Sequence, residues 1–208
     1  MKLLIHKEIL AVVVLGASAL FSPLMAQQMA KVSMGDPKFE NLPSPQFSVG
    51  KNKSFKPKDW LECEVKFNVE MSRDYKQKFI DRVTVKWYVA IEDPQGGKRS
   101  VFLEKEVNHV NVPVGEDIYS SVYLSPAAIK RISGSDRASK RVVKSVGGEI
   151  LVNGQAAYKG SGIFSSTGKA GWWRQISRYD KIPLRNKNET PFKFLWWDRY
   201  AEIEESRR

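Results

Sequence analysis

Two tryptophan doublets, Trp172-Trp173 and Trp196-Trp197, are the residues of this chain best suited to bind something. They are accompanied in sequence by Arg174, Arg178, Lys181 and Arg185. Aromatic faces beside cations suit three tasks: stacking on sugars, settling at a lipid interface, or anchoring a protein–protein contact. A purely structural use is the competing interpretation, in which one ring of each doublet packs on the fold and the other covers its edge. A partner surface therefore requires a split, with one tryptophan of each pair buried as an anchor and its neighbour exposed near Arg174 or Arg178.

The catalytic vocabulary is much poorer. The sequence holds one cysteine, Cys63, and two histidines, His6 and His109. A single cysteine forms no intramolecular disulfide, and a His-rich zinc site is excluded. No Gly-x-Ser-x-Gly, His-Glu-x-x-His, phosphate-binding glycine loop or calcium loop of alternating acids is present. Cys63 alternates with glutamates on an inward-facing pattern, so a buried thiol is expected rather than a nucleophile paired with His109. A non-enzymatic protein without cofactor or metal follows from this composition.

The first 26 residues resemble a secretory signal. Lys2 and Lys7 give a basic start, Ile9 to Phe21 an apolar run, and Pro23-Leu24-Met25-Ala26 a cleavage region, with Ala17-Ser18-Ala19 as an alternative site. The run is shorter than the roughly 18 residues of a membrane span, and no cysteine stands beside the cleavage region for a lipid anchor. The expectation is an exported protein, periplasmic, outer-membrane associated or at the cell surface.

The formal charge of the chain is +11, and losing Lys2, Lys7 and Glu8 with the signal lowers it by one. Such a field attracts acidic glycans, anionic headgroups or acidic proteins. Nucleic acid is not an expected partner, because the chain is exported and carries no recognisable nucleic-acid-binding motif.

The elements that must position the aromatic residues are strands. Residues 27–45 contain Gly35, Pro37, Pro43 and Pro45 and show no periodicity, which suggests an extended arm, dispensable for folding. Leu61, Cys63, Val65, Phe67 and Val69 then alternate with polar residues, as do Val83, Val85, Trp87, Val89 and Ile91. Asp93-Pro94-Gln95-Gly96-Gly97 supplies a turn, and Val101 to Val107 returns antiparallel. A fourth strand runs from Ile118 to Leu124. Ser125-Pro126 caps a short helix ending at Gly134. Val142 to Val152 resumes strand character, with Gly147-Gly148 marking a bulge or a close backbone approach, and Asn153-Gly154 turns a tight hairpin.

At least six one-sided strands and one helix predict an immunoglobulin-like antiparallel β-sandwich over residues 46–165. A partly open barrel is the alternative. Residues 166–208 form an aromatic-basic segment packing on the sandwich, with the polar end from Glu202 onward expected to fray.

The run Pro191-Phe192-Lys193-Phe194-Leu195-Trp196-Trp197-Asp198-Arg199-Tyr200-Ala201-Glu202-Ile203 carries a further signal. With Trp60-Leu61-Glu62-Cys63-Glu64-Val65 and Tyr123-Leu124-Ser125-Pro126, it resembles a small family of exported Ig-like proteins. These are encoded alongside type IV pilus-like genes in mucin-associated gut bacteria and their relatives. The resemblance implies an Ig-like fold and an envelope or pilus-associated role, with envelope or pilus-assembly proteins as partners. It implies no catalytic residues. The expected function is a non-enzymatic protein-interaction component of a pilus-like or secretion assembly; the alternative is a binding module for acidic glycans or other envelope polyanions.

Overall fold

The computed structural model describes residues 30–47, 54, 56–96, 98–135 and 140–205; the signal segment lies outside them. Twelve strands among the described residues form two sheets. The strands are β1 (Lys31–Met34), β2 (Lys38–Pro43), β3 (Asp59–Glu70), β4 (Phe79–Glu92), β5 (Ser100–Pro113), β6 (Ile118–Leu124), β7 (Val143–Val152), β8 (Gln155–Ala156), β9 (Ile163–Ser165), β10 (Ser177–Arg178), β11 (Arg185–Asn186) and β12 (Glu202–Ile203), with one helix, α1 (Pro126–Ser133). The first sheet runs β1-β3-β6-β11, with β2 also on β3. The second runs β10-β5-β4-β7-β8, with β12 on β5 and β9 on β7. Pairing is antiparallel except for β10, which lies parallel to β5. This is the all-β sandwich that the alternation requires.

The inward faces make the core. Leu61, Cys63, Val65, Phe67 and Val69 of β3 are buried against Val83, Val85, Trp87, Val89 and Ile91 of β4. In register, Leu61 faces Leu124 and Cys63 faces Val122, so β6 presents its apolar face on the same side. The Trp87 indole donates to the Ser120 hydroxyl at 3.2 Å, which satisfies its N–H at the centre of the core. Cys63 and Trp87 thus both occupy the core, as in antibody domains, without a second cysteine.

Local signals settle the connections. Ser125 accepts from the Ala128 amide and Gly134 closes α1 at φ 70°. Asn153 and Gly154 both take positive φ, which matches the right-handed twist of the β7–β8 hairpin. Gly147 and Gly148 are sites of close approach rather than a bulge. A Cβ on Gly147 would lie 2.6 Å from the Trp173 ring, and one on Gly148 would lie 2.4 Å from Phe164. The β4–β7 register shift falls instead between Ala90 and Ile91.

The N-terminal expectation is corrected. Within the stretch expected to be an arm, residues 27–45, the described residues from Ala30 on do not stand off: β1 and β2 pair along β3, one after the other, and Ala30 and Val32 enter the core. The prolines are tolerated because these are edge strands, where Pro43 ends β2 and a missing N–H breaks no central ladder.

The C-terminal segment is also built into the sheets. Its strands pair with β5 at Val101–Phe102, cross to β6 at Val122–Tyr123, and return to β5 at His109–Val110. It laces together the edges of both sheets, and Glu202 and Ile203 are paired rather than frayed. Ile182, Leu184 and Phe192 are buried along its path.

Candidate functional site

The lacing segment carries every aromatic and basic residue singled out in the sequence, and the fold distributes them over different surfaces. Trp173 is buried on the outer face of the second sheet. It stacks on Tyr88 with centroids 4.7 Å apart and planes 14° from parallel. Trp172 is half-buried and meets Trp173 edge-on at 5.4 Å. The first doublet therefore has its anchor and a partly accessible neighbour.

The second doublet departs from the expected split. Trp196 and Trp197 are both exposed, at 45% and 72%, and Phe194 beside them at 70%. Their segment is anchored by other rings. Phe192 is buried, stacked on Tyr123 at 5.4 Å and edge-on to Trp60 at 5.8 Å. Once Phe192 and Tyr200 pin the segment on either side, neither tryptophan is needed to hold it. Trp196 takes a left-handed φ of 50°, a conformation that costs a non-glycine residue about 1–2 kcal/mol. It turns the chain so that Trp197 opens a short 3₁₀ turn, Trp197–Arg199.

Two of the four basic residues are committed to carboxylates. Arg174 pairs with Glu149 at 3.2 Å, and Arg178 with Glu104 at 2.7 Å and with Asp180. Arg185 is half-buried on β11, while Lys181 is exposed and offers its carbonyl to Arg131 at 2.9 Å. Arg174 and Arg178, near the first doublet, are thus each paired with acids.

The alternation of β3 conceals a polar cluster. Glu62 and Glu64 alternate with core residues and look solvent-facing in sequence. The C-terminal segment covers them. Glu62 is 6% exposed and accepts a hydrogen bond from the Tyr123 hydroxyl, its cross-strand neighbour. Tyr200 donates to Glu64, Arg199 pairs with Glu64 at 3.2 Å, and the Arg199 guanidinium lies 4.0 Å over the Tyr119 ring. Lys187 is buried, with its ammonium 4.1 Å over the Tyr200 ring and donating to the Leu195 carbonyl. Burial pushes the Glu62 carboxyl up to about 7, aided by Glu64 and Glu40 against the Tyr123 hydrogen bond. Burial pulls Lys187 the other way, below the usual lysine range. The one hint in the sequence is that Tyr119 and Tyr123 share the outward face of β6 with Ser121, an aromatic surface that needs a cover.

Cys63 and His109 form no dyad. Cys63 is buried on β3, and burial pushes its thiol upward, away from thiolate. His109 is buried on β5, with Nδ1 donating to the Ala201 carbonyl at 3.2 Å. Burial pulls its imidazole down to about 4. Among the described residues no group of three or more His, Cys, Asp or Glu is placed to hold a metal ion, and no helix is long and apolar enough to cross a membrane.

Fold and segment together define a strapped Ig-like sandwich with an exposed aromatic patch. One protein-family model matches residues 23–207, and the chain belongs to that family. A crystal structure from Akkermansia muciniphila is similar, with a TM-score of 0.78 at 35% identity over 87% of this chain and 96% of that one. No curated protein of established function matches the sequence.

Proposed function

We propose that the protein is a non-enzymatic, exported envelope component that binds another protein through its C-terminal aromatic segment, within a pilus-like or secretion assembly. The observation that carries this is the cluster of Phe194, Trp196 and Trp197, three large apolar side chains within four residues, all exposed on a segment fixed to both sheets. Exposed tryptophans on a rigid frame are suited to interface anchoring, since little ordering entropy remains to be lost on binding. The left-handed backbone at Trp196 supports the reading, because such strain persists where the surroundings impose it and is frequent at ligand-contacting sites. Similarity to a structure from a mucin-associated gut bacterium fits the envelope setting suggested by the sequence resemblance.

A glycan-binding role gains less support. Arg174 and Arg178, two of the four cations expected to meet a polyanion, are already paired with Glu149, Glu104 and Asp180.

A photo-crosslinking residue at Trp197, expressed in the native host, tests the proposal. The expected result is a discrete adduct with one envelope protein, absent when the same residue replaces exposed Lys169. Labelling no stronger than at Lys169, or salt-sensitive retention on acidic glycans without a protein adduct, would overturn it.

A further inference from the structure

We infer that the groove beside Trp197 receives a lysine- or arginine-bearing extended segment of the protein partner, an inference that rests on the aromatic segment being a protein-binding surface. The groove has a volume of about 640 Å³ and opens between the β5–β6 connection and the C-terminal segment. Trp197, Ile118 and Ile203 supply apolar walls, and Glu116, Asp198 and Glu202 line the same space.

The charges around it have been apportioned by the fold. Asp117 is held by Lys66 at 2.7 Å, and Glu205 by Lys193 at 3.4 Å. Arg199 is engaged by Glu64 and Tyr119, and Lys187 is turned inward over Tyr200. Once these pairs are made, Glu116 and Glu202 have no ion pair among the described residues, and Asp198 feels only the inward-turned Lys187 charge without pairing to it.

On a chain of formal charge +11, a groove lined by five carboxylates and three cations is a local inversion of sign. An anionic ligand would meet repulsion there. A cationic side chain would meet carboxylates for charge-assisted hydrogen bonds and the face of a largely exposed indole for cation–π contact. Its aliphatic stem would lie along Ile118 and Ile203, as long cationic side chains do on apolar surface. The net positive charge of the whole molecule opposes indiscriminate attraction of basic peptides, so binding must come from this site.

Fluorescence anisotropy of a labelled Gly-Lys-Gly-Arg-Gly peptide, on the folded protein, provides the test. Binding is expected, weakening with salt and absent for the same peptide with glutamates in place of the cations. The combined change Glu116→Gln, Asp198→Asn and Glu202→Gln should weaken it by about tenfold or more, and Trp197→Ala by about fivefold. Neutralising three exposed carboxylates elsewhere, Asp36→Asn, Asp81→Asn and Glu106→Gln, should leave it unchanged. No binding of the basic peptide, or equal losses in both triple variants, overturns the inference. Self-association that disappears with the groove variant also overturns it, because the occupant would then be a second copy of the chain. If crosslinking from Trp197 captures a defined protein while the basic peptide does not bind, this inference fails and the protein-binding role stands.

Discussion

Trp173 lies flat on Tyr88, ring centroids 4.7 Å apart, and the contact exists because Gly147 on the neighbouring strand has no side chain to prevent it. Three strands are joined through this pair: Tyr88 projects outward from β4, Phe102 of β5 meets it edge-on at 5.7 Å, and Gly147 of β7 makes room for the indole. The outer face of the second sheet thereby carries a small apolar cluster separate from the main core.

Removing the ring should be costly. Trp173→Ala is expected to destabilise the fold by about 3–5 kcal/mol. Gly147→Ala should cost about 1–3 kcal/mol, because its Cβ would press on the indole on one side and on the Phe164 carbonyl at 3.0 Å on the other. Urea unfolding midpoints check both, and a near-neutral Gly147→Ala would show that the stack is loose.

Trp197→Ala should change stability by no more than about 0.5 kcal/mol, since the ring is 72% exposed and Phe192 holds the segment. Phe192→Ala should behave like a core truncation and cost about 3–5 kcal/mol. If the two substitutions prove equally damaging, Trp197 is a structural residue and loses its claim as a partner contact.

Glu62 gives the fold a pH dependence of definite sign. Its carboxyl titrates near 4.5 when exposed and near 7 when folded, so the folded state holds the proton more tightly. That contribution to stability is complete below 4.5 and is lost as pH rises through 7, amounting to about 3 kcal/mol. Glu62→Gln keeps an acceptor for Tyr123 and removes the titration. The variant should gain on wild type between pH 5 and pH 8 in denaturant unfolding; parallel profiles would refute the assignment.

His109 acts in the opposite direction. Its folded value of about 4 lies below the ordinary 6.5, so the stability it contributes is present above 6.5 and is lost as pH falls toward 4. In a protein beginning at Gln27 it is the one imidazole, so a single resonance reports it. An NMR midpoint near 6.5 would show that the ring is accessible to water and not sealed beneath Ala201.

The N-terminal strands should be required for stability. Val32→Ala is expected to cost about 1–3 kcal/mol, whereas Lys31→Ala, on the exposed face of the same strand, should be nearly neutral. Thermal and urea melts decide it, and equal tolerance of both would restore residues 27–45 to the status of an arm.

Strand identity was legible in the sequence because a sheet face turned to the core imposes a period of two, which the order of residues displays in β3 and β4. The helix caps at Ser125 and Gly134 and the Asn153-Gly154 turn were legible for a similar reason: each is fixed by the conformational preferences of a few adjacent residues. The N-terminal strands were not, because β1 and β2 are short edge strands whose hydrogen bonds come wholly from β3, and prolines that forbid a central strand are harmless at an edge. Nor could periodicity distinguish Glu62 from a solvated glutamate. Whether an outward face of a sheet meets water depends on a segment more than 120 residues further along the chain, which returns to cover it. The same holds for the tryptophans. The sequence marked both doublets as adhesive, but only the tertiary path set Trp173 on Tyr88 and left Trp197 in solvent. Long-range covering is a property of how the sheets' edges are closed, and it leaves no local pattern in the residues being covered.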